Sequence, residues 1–202
     1  MQMSLNSELS AKFKAYEALL LKWQKTINLV SPSTLGDIQN RHILDSYQLG
    51  QYIPDTVKTI YDLGSGSGFP AMVLACLRPE INVHCVESDQ RKCEFLKTVS
   101  REIDIPAIIH MGRIESFSGL VAPDLITARA LASVTKILNL TEFWRSNNSD
   151  LIYILPKGET WADEITEAKQ YFDFALKDYP SETDNKARIL IISKIKAIVD
   201  KS

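Results

Sequence analysis

The chain has 202 residues, of which 45% are hydrophobic, and its formal net charge is −2. This length suits either one sizeable α/β domain or one domain with a small appendage. No apolar run approaches the roughly 20 residues that would span a bilayer, and the N-terminus lacks a basic segment followed by an apolar one, so neither a membrane span nor a secretion signal is expected. Proteins that grip naked nucleic acid through many phosphates are usually basic, so this acidic chain would need local, weak or partner-assisted contacts with RNA.

Two helices are predicted at the N-terminus. Apolar residues recur at spacings of three and four over 8–27, which is typical of an amphipathic helix. The stretch NLVSPSTL breaks that period, and a second helix is predicted over 34–52, ended by Pro54. Together they predict a helical cap over residues 1–55.

The remaining residues, 56–202, alternate between strand-like and helical segments and are predicted to form one compact domain. Strands are predicted at 58–63, 81–87, 106–111, 124–130 and 151–156, and helices near 69–77, 89–103, 131–145 and 160–172. Such alternation favours a parallel sheet with helices on both faces. FALKDYP and ARILIISKI have no helix between them, which predicts an antiparallel hairpin joined by a solvated, mobile SETDNK loop. The prediction is therefore an α/β fold with an open, doubly wound, mostly parallel sheet of seven strands.

A glycine-rich turn, DLGSGSG (62–68), is predicted at the carboxyl end of the first strand. Ligands bind at that edge in open α/β sheets, and glycines let the backbone approach a ligand closely. The spacing is G-x-G-x-G rather than the G-x-G-x-x-G of dinucleotide-binding turns. It favours a cofactor without phosphate, with Asp62 facing an amine and Gly64, Gly66 and Gly68 packed against a nucleoside.

A carboxylate at the end of the second strand is the second cofactor signal. Glu87 follows Gly64 by 23 residues, where an acidic group can accept hydrogen bonds from both ribose hydroxyls. The two features together predict S-adenosylmethionine. NAD is the rival ligand, and an exposed glutamate beside an ordinary turn is the structural alternative.

Absent motifs narrow the chemistry. The fourth strand is followed by TARA (127–130) rather than by the Asn/Asp-Pro-Pro-aromatic turn that serves exocyclic amines, and none of the three cysteines adjoins a proline as a C5-methylating nucleophile commonly does. The three histidines are scattered, so no metal site is expected. A ring nitrogen such as guanine N7 has a free lone pair and needs no base, while O-methylation of a small molecule stays open.

Several separate stretches carry a resemblance to a known family. They are NLVS…RHILDS (28–46), DLGSGSGFP (62–70), GRIES (112–116), TARALAS (127–133) and LPKG (155–158). In order and spacing, over nearly the whole chain, the sequence resembles the RsmG (GidB) family of bacterial small-subunit ribosomal RNA guanine-N7 methyltransferases. The glycine turn is generic to methyltransferases, whereas RHILDS and the TARA/LPKG pair are more specific.

The resemblance implies a Rossmann-like methyltransferase fold and a monomeric, cytoplasmic enzyme. Its substrate would be a guanosine in 16S rRNA, free or in an assembling small ribosomal subunit, and its product 7-methylguanosine. The family's cofactor contacts map onto Gly64, Phe69, Glu87, Ile114, Glu115 and Arg129. Ala71 and Ile114 depart from the residues that are common in the family, and both changes are small ones of packing.

Four basic residues are candidates for substrate contact. Arg129, at the sheet's carboxyl edge, is predicted to be catalytic because an arginine there can clamp an anionic group or stack on a base, although a surface ion pair is the alternative. Lys157 at the end of the fifth strand suits an RNA phosphate. Arg41 is spaced i, i+4 from Asp45, so it fits either RNA contact or a structural pair. Lys22 is either an RNA contact or a solvated helix position.

Two other functions stay open at the level of sequence. A small-molecule S-adenosylmethionine-dependent methyltransferase on the same fold would suit the acidic pI of 5.9. A nucleotide-sensing module without turnover would use the same glycine turn. A basic stripe formed by Lys22, Arg41, Arg129 and Lys157 around the cofactor pocket would favour RNA over both.

Overall fold

A computed structural model describes residues 6–198. Residues 1–5 of the predicted cap and residues 199–202 of the predicted domain lie outside the described residues. One seven-stranded sheet forms its centre. The strands are β1 Thr59–Leu63, β2 Asn82–Glu87, β3 Ala107–Met111, β4 Leu125–Thr127, β5 Ile152–Lys157, β6 Phe172–Pro180 and β7 Arg188–Ala197. Their order is β3-β2-β1-β4-β5-β7-β6, with β7 antiparallel to both neighbours. The predicted doubly wound sheet with a terminal hairpin is confirmed.

Seven α-helices accompany the sheet in the described part of the chain. They are α1 Ser7–Gln24, α2 Asp45–Tyr47, α3 Ala71–Leu77, α4 Gln90–Glu102, α5 Val134–Leu140, α6 Glu142–Arg145 and α7 Trp161–Ala168. The first helix begins where the Asn6 side chain accepts a hydrogen bond from the Leu9 amide at 2.8 Å. Within residues 6–198, no helix combines the length and the apolar character that crossing a membrane requires.

The second predicted cap helix, 34–52, is wrong as a regular helix. The structure instead has 3₁₀ turns at Pro32–Asp37 and Gln48–Tyr52 around a π-helical turn at Gln39–Leu44 and the short α2. A π turn widens the helix and changes the direction of its side chains, and such turns are frequent at functional sites. It places part of the RHILDS motif beside the sheet edge.

The fourth strand is shorter than the prediction of 124–130. It ends at Thr127, and residues 128–133 form an irregular loop in which Ala130 has a positive φ of 52°. Arg129 therefore lies on a loop rather than on a strand. The predicted helix 131–145 is likewise divided at Thr141, whose hydroxyl bonds back to the Ile137 carbonyl at 2.8 Å.

Two hydrophobic clusters fill the two sides of the sheet. One joins the cap to the sheet through Phe13, Tyr16 and Leu20 of α1, which are at most 1% exposed and share the cluster with Phe95 of α4. The other lies under α5, α6 and α7. Because burying each large apolar side chain contributes roughly 1.5–3 kcal/mol, the cap is held firmly against the sheet and can form a wall of a site there.

Candidate functional site

A cavity of about 720 Å³ opens at the carboxyl edge of the sheet. Its walls come from the glycine turn, the π turn of the cap, the loop after β4, the end of β5 and the loop of the β6–β7 hairpin. The volume is in the range of small-molecule sites. The position is the one at which doubly wound sheets bind ligands.

The glycine turn is fixed by hydrogen bonds to β2. The amides of Gly64 and Ser65 donate to the Val86 carbonyl at 2.8 and 3.1 Å, and the Gly66 amide donates to Glu87 Oε2 at 2.8 Å. Gly64 and Gly66 have φ values of 65° and 55°, in the left-handed region that glycine adopts without strain. The turn therefore has its shape before any ligand binds.

Gly66 and Gly68 serve different purposes in this turn. A Cβ on Gly66 would meet only the Gly64 carbonyl oxygen, at 3.7 Å, so its open side stays free for a ligand. A Cβ on Gly68 would lie 2.5 Å from the Tyr16 hydroxyl and 2.8 Å from Met72 Cγ. Gly68, a predicted cofactor contact, does not line the cavity, and its missing side chain makes room for the cap instead.

Glu87 is only 7% exposed and is already bonded to the backbone. Its Oε1 accepts from the amides of Ser88 and Asp89, both at 2.8 Å, while Oε2 accepts from Gly66. A carboxylate has about four acceptor positions, so about one is left for a ligand hydroxyl in this arrangement. For Glu87 to accept hydrogen bonds from both ribose hydroxyls, as predicted, one ribose hydroxyl would have to use an acceptor position that a backbone amide already occupies.

Asp62, at the end of β1, is a buried carboxylate with an unsatisfied oxygen. It is 1% exposed, its Oδ1 accepts from the Thr127 hydroxyl at 2.7 Å, and its Oδ2 has no partner among the described residues. Burial raises the pKa of Asp62 to about 6. An orphaned buried oxygen of this kind suits a cationic group such as the amine of the predicted cofactor. Asp62 lines neither the cavity nor the smaller cleft beside the glycine turn, so an amine reaches this oxygen only after the side chains that cover it move.

A smaller cleft of about 210 Å³ meets the cavity at the glycine turn. Gly64 and Leu131 line both spaces, and a Cβ on Gly64 would lie 2.6 Å from Leu131 Cδ1. Ile114 and Glu115, which begin the 3₁₀ turn Ile114–Phe117, line the cleft on the side of β3. The cleft thus brings these two predicted cofactor residues to the same turn as Gly64.

Phe69 is the centre of an aromatic stack in the wall of the cavity. The rings of Tyr16 and His42 stack on it with centroids 5.0 and 5.2 Å away, and the Arg129 guanidinium carbon lies 5.3 Å from the Phe69 centroid. Burial, reinforced by Arg129 and Arg41, lowers the pKa of His42 to about 4, so the imidazole is neutral at pH 7. The position of His42 against Phe69 could not be predicted from the sequence, because it depends on the π turn.

Arg129 bridges the stack and the cap. Its Nη1 donates to the Arg41 carbonyl oxygen at 3.2 Å and lies 3.6 Å from Asp45 Oδ2. The Arg129 and Asp45 side chains are each about one-fifth exposed, which weakens solvent screening between them. The result is a cation at the edge of the cavity with an aromatic face and a carboxylate beside it.

The other predicted basic contacts are placed unequally. Arg41 lines the cavity and pairs with Asp184 at 3.3 Å. Lys157 lines it as well but is only 8% exposed. Lys22 lies exposed on α1 and does not line the cavity. Arg41, Arg129 and Lys157 therefore meet around one space, whereas Lys22 lies apart from them.

Sequence reasoning missed several parts of this wall. Lys92 of α4 and Arg188 of β7 also line the cavity, and no local pattern marks either residue. Half of the SETDNK loop is exposed, as predicted, but the loop is also bonded to the cap. The Glu182 amide donates to Gln48 Oε1 at 2.8 Å, and the Thr183 hydroxyl donates to Asp45 Oδ1 at 2.7 Å. Within residues 6–198, no three His, Cys, Asp or Glu side chains are grouped as metal ligands.

Comparison with known proteins places the chain among methyltransferases. The profile of the GidB family, described as rRNA small subunit methyltransferase G, matches residues 9–188. A relative from Rhodospirillum centenum, named ribosomal RNA small subunit methyltransferase G, is 44% identical over 186 residues, covering 91% of this chain and 83% of the relative. A relative of the same name from Brucella ovis is 39% identical, covering 98% and 93%.

Solved structures show the same fold at low sequence identity. The chain superposes on the fibrillarin/Nop5p complex with a TM-score of 0.60 and 17% identity, over 76% of this chain and 81% of that chain. It superposes on an O-methyltransferase from Bacillus cereus in complex with SAH with a TM-score of 0.59 and 10% identity, over 96% and 94%. At such identities the likeness concerns the fold alone.

Proposed function

The chain belongs to the family of rRNA small subunit methyltransferases G and is an S-adenosylmethionine-dependent rRNA methyltransferase, and from this premise we propose that it methylates N7 of a guanosine in 16S rRNA. The resemblance read from the sequence motifs is confirmed by the family match. The proposed atom rests on the chemistry around the cavity. The one observation that supports it most is the neutral His42 ring, which lines the cavity together with the Arg129 guanidinium beside the glycine turn.

Guanine N7 has a lone pair that no proton occupies at pH 7, so its methylation requires alignment rather than a base. The neutral His42 ring and the Arg129 guanidinium both line the cavity, and both are groups on which a purine can stack. Phe69 is 3% exposed and already covered by these two groups and by Tyr16, so it supports them from behind. The bound cofactor supplies the activated methyl group as a sulfonium. None of these side chains has to accept a proton from the acceptor base.

The chain's own residues fit the cofactor at three places. The orphaned oxygen of Asp62 suits the amine, the open side of Gly66 suits close approach, and Glu87 keeps about one acceptor position for the ribose. The cleft at Ile114 and Glu115 would hold the base. Phe69 and Arg129 complete the predicted set from the other side of the turn.

We further propose that the acceptor is 16S rRNA, free or in an assembling small subunit, and that the enzyme is monomeric and cytoplasmic. Cations at the cavity edge, Arg41, Lys92, Arg129 and Arg188, supply local positive charge on a chain whose net charge is −2. Local charge with an acidic remainder suits weak contact with a few phosphates. Lys22, which lies apart, would contact only RNA that extends along α1.

The test of this proposal is to map 7-methylguanosine in 16S rRNA from cells with and without the gene. We expect one modified guanosine that is lost on deletion and restored by the intact gene. A purified assay with labelled cofactor then compares naked 16S rRNA, small subunits and metabolite extracts. Label in a metabolite, with unchanged 16S rRNA, would contradict the proposal and support the small-molecule alternative.

Arg129→Ala tests the cation at the stack. We expect at least a tenfold loss in the rate of transfer, because about 1.4 kcal/mol of lost orientation or charge stabilisation is enough for that factor. Arg129→Lys is the matched control, since it keeps the charge but lacks the planar group that lies over Phe69. Unchanged kinetics on RNA for Arg129→Ala would remove its proposed role.

A further inference from the structure

The loop 128–133 has no regular secondary structure, yet it places two side chains at the site. Arg129 reaches the Phe69 stack, and Leu131 Cδ1 would lie 2.6 Å from a Cβ on Gly64. Between them, Ala130 adopts a φ of 52°, a region in which a side chain is strained. A strained loop keeps such a shape only when the surrounding structure holds it.

Two hydrogen bonds hold the far end of this loop. Lys157 Nζ donates to the Ala132 carbonyl oxygen at 2.6 Å, and the Val134 amide donates to Glu164 Oε2 at 3.0 Å. Lys157 and Glu164 are themselves paired at 2.8 Å. The pair links the end of β5 and the helix α7 to the point where the loop enters α5.

The pair is largely removed from solvent. The Lys157 side chain is 7% exposed and the Glu164 side chain 20% exposed. A buried ion pair is poor evidence of a stability role, because apolar replacements of similar volume often fold as well. Its geometry is better explained by a role in positioning, since both charged groups bond to the backbone where the loop enters α5. An ammonium engaged in this way is also poorly placed to meet an RNA phosphate.

We propose that Glu164 is a positioning residue, which acts through Lys157 and the Val134 amide to fix the loop that places Arg129 and Leu131 at the cofactor turn. This inference rests on the proposed function of the cavity. It assigns Lys157 to the loop rather than to RNA, contrary to the prediction from sequence. Neither Glu164 nor Lys157 has to touch the reacting atoms for the proposal to hold.

The experiment uses the full chain and five variants: Glu164→Gln, Lys157→Met, Lys157→Arg, the double Lys157→Met/Glu164→Gln, and the control Glu167→Gln on the exposed face of α7. The double variant leaves no unpaired buried charge, so it keeps the test possible if a single variant folds poorly. Calorimetry measures the dissociation constant of S-adenosylhomocysteine. Kinetics give kcat and KM for cofactor and RNA, and RNA binding is measured over a range of salt concentrations.

We expect Glu164→Gln and Lys157→Met each to weaken cofactor binding or lower kcat about tenfold, the factor that follows from re-ordering about one residue of backbone. The double variant should lose no more than the worse single variant, because both act through one contact. Lys157→Arg should recover part of the loss. Glu167→Gln should match the wild type, and the salt dependence of RNA binding should be unchanged in all variants.

If the wild-type chain is active, either of two results would overturn the proposal. In one, Lys157→Met reduces the salt slope of RNA binding by about one while Glu164→Gln changes nothing, which would make Lys157 a phosphate contact. In the other, the variants lower the thermal midpoint but leave kcat, KM and cofactor affinity intact, which is a purely structural role. A wild-type chain that binds no S-adenosylhomocysteine would count against the proposed function itself.

Discussion

The two sides of the cavity are built in different ways. On the side of the glycine turn, the backbone bonds to neighbouring strand residues, and Gly66 and Glu87 are 21 residues apart. On the side of the cap, side chains join the π turn and the 3₁₀ turn Gln48–Tyr52 to the β6–β7 loop across much longer separations. Arg41 and Asp184 are 143 residues apart, and Gln48 and Ser181 are 133. The first side is a local motif, whereas the second exists only when the whole chain is folded.

This difference predicts unequal responses to substitution. Substitutions in the glycine turn should strongly lower cofactor affinity or stability, because they change the backbone conformation and fill space that the ligand or the core needs. Changes at the cap and the hairpin loop should act weakly on stability, because exposed ion pairs contribute little. The following substitutions test that contrast, from the largest expected effect to the smallest.

Gly64→Val should have the largest effect on the cofactor. The backbone φ of 65° disfavours a branched side chain, and the new Cβ would lie 2.6 Å from Leu131 Cδ1, which must move into the space shared by the cavity and the cleft. We expect at least a 100-fold loss of S-adenosylhomocysteine affinity, equivalent to about 3 kcal/mol. Calorimetry checks this, with Gly36→Val as control because the space beside Gly36 is open. Retained affinity would contradict the assignment of the turn.

Gly68→Ala should lower stability more than Gly66→Ala, although both glycines have positive φ. At Gly68 the new methyl meets Tyr16 and Met72, so strain and overpacking together should cost about 2–5 kcal/mol. At Gly66 the strain of about 1–2 kcal/mol acts alone. Urea denaturation measures both free energies of unfolding. Equal losses would mean that Gly68 is not the contact between the turn and the cap.

Asp62→Asn should change how the free energy of unfolding depends on pH, because it removes a buried carboxyl group. Because burial raises the pKa of Asp62 to about 6, the folded state keeps a proton that the unfolded state loses above about pH 4. This group therefore lowers the stability as pH rises from about 4 to about 6, by at most about 1.4 kcal/mol per pH unit. Unfolding experiments should show that the free energy of unfolding of the variant rises relative to that of the wild type as pH increases across that range. A difference that does not change with pH would contradict the raised pKa.

Arg41→Ala should have the smallest effect on stability. Its pair with Asp184 is 3.3 Å long and both side chains are more than one-third exposed, so we expect a loss of about 0.2–1 kcal/mol. RNA binding should weaken more clearly than folding, with a smaller salt slope if Arg41 meets a phosphate. A loss of several kcal/mol in unfolding would show that the cap is held by this pair rather than by its apolar core.

The same contrast explains what could be predicted from the sequence. The sheet, the hairpin and the glycine turn follow from alternating periodicity and local spacing. The shape of residues 34–52 could not be predicted from periodicity, because a regular helix and a π turn have nearly the same apolar pattern. The end of β4 at Thr127 and the bonded SETDNK loop were missed because both depend on partners far away in the chain.

Residue roles divide along the same line. Glu87 was predicted to be a ribose contact from its spacing after Gly64. Its bonds to three backbone amides could not be predicted, since they require the folded turn. The stack on Phe69 needed the π turn to bring His42 to it. Lys157 was predicted to face RNA because it ends a strand at the right edge, and only the positions of Ala132 and Glu164 give its ammonium another partner.

The central claim is that the turn after β1 holds the adenosine of the cofactor between Gly66 and the carboxylate of Glu87. A crystal structure of the chain with S-adenosylhomocysteine tests it most directly. The account predicts the ribose within hydrogen-bond distance of Glu87, the base in the cleft beside Ile114 and the amine near Asp62. A ligand bound elsewhere, with the turn closed and Glu87 bonded only to backbone amides, would contradict it.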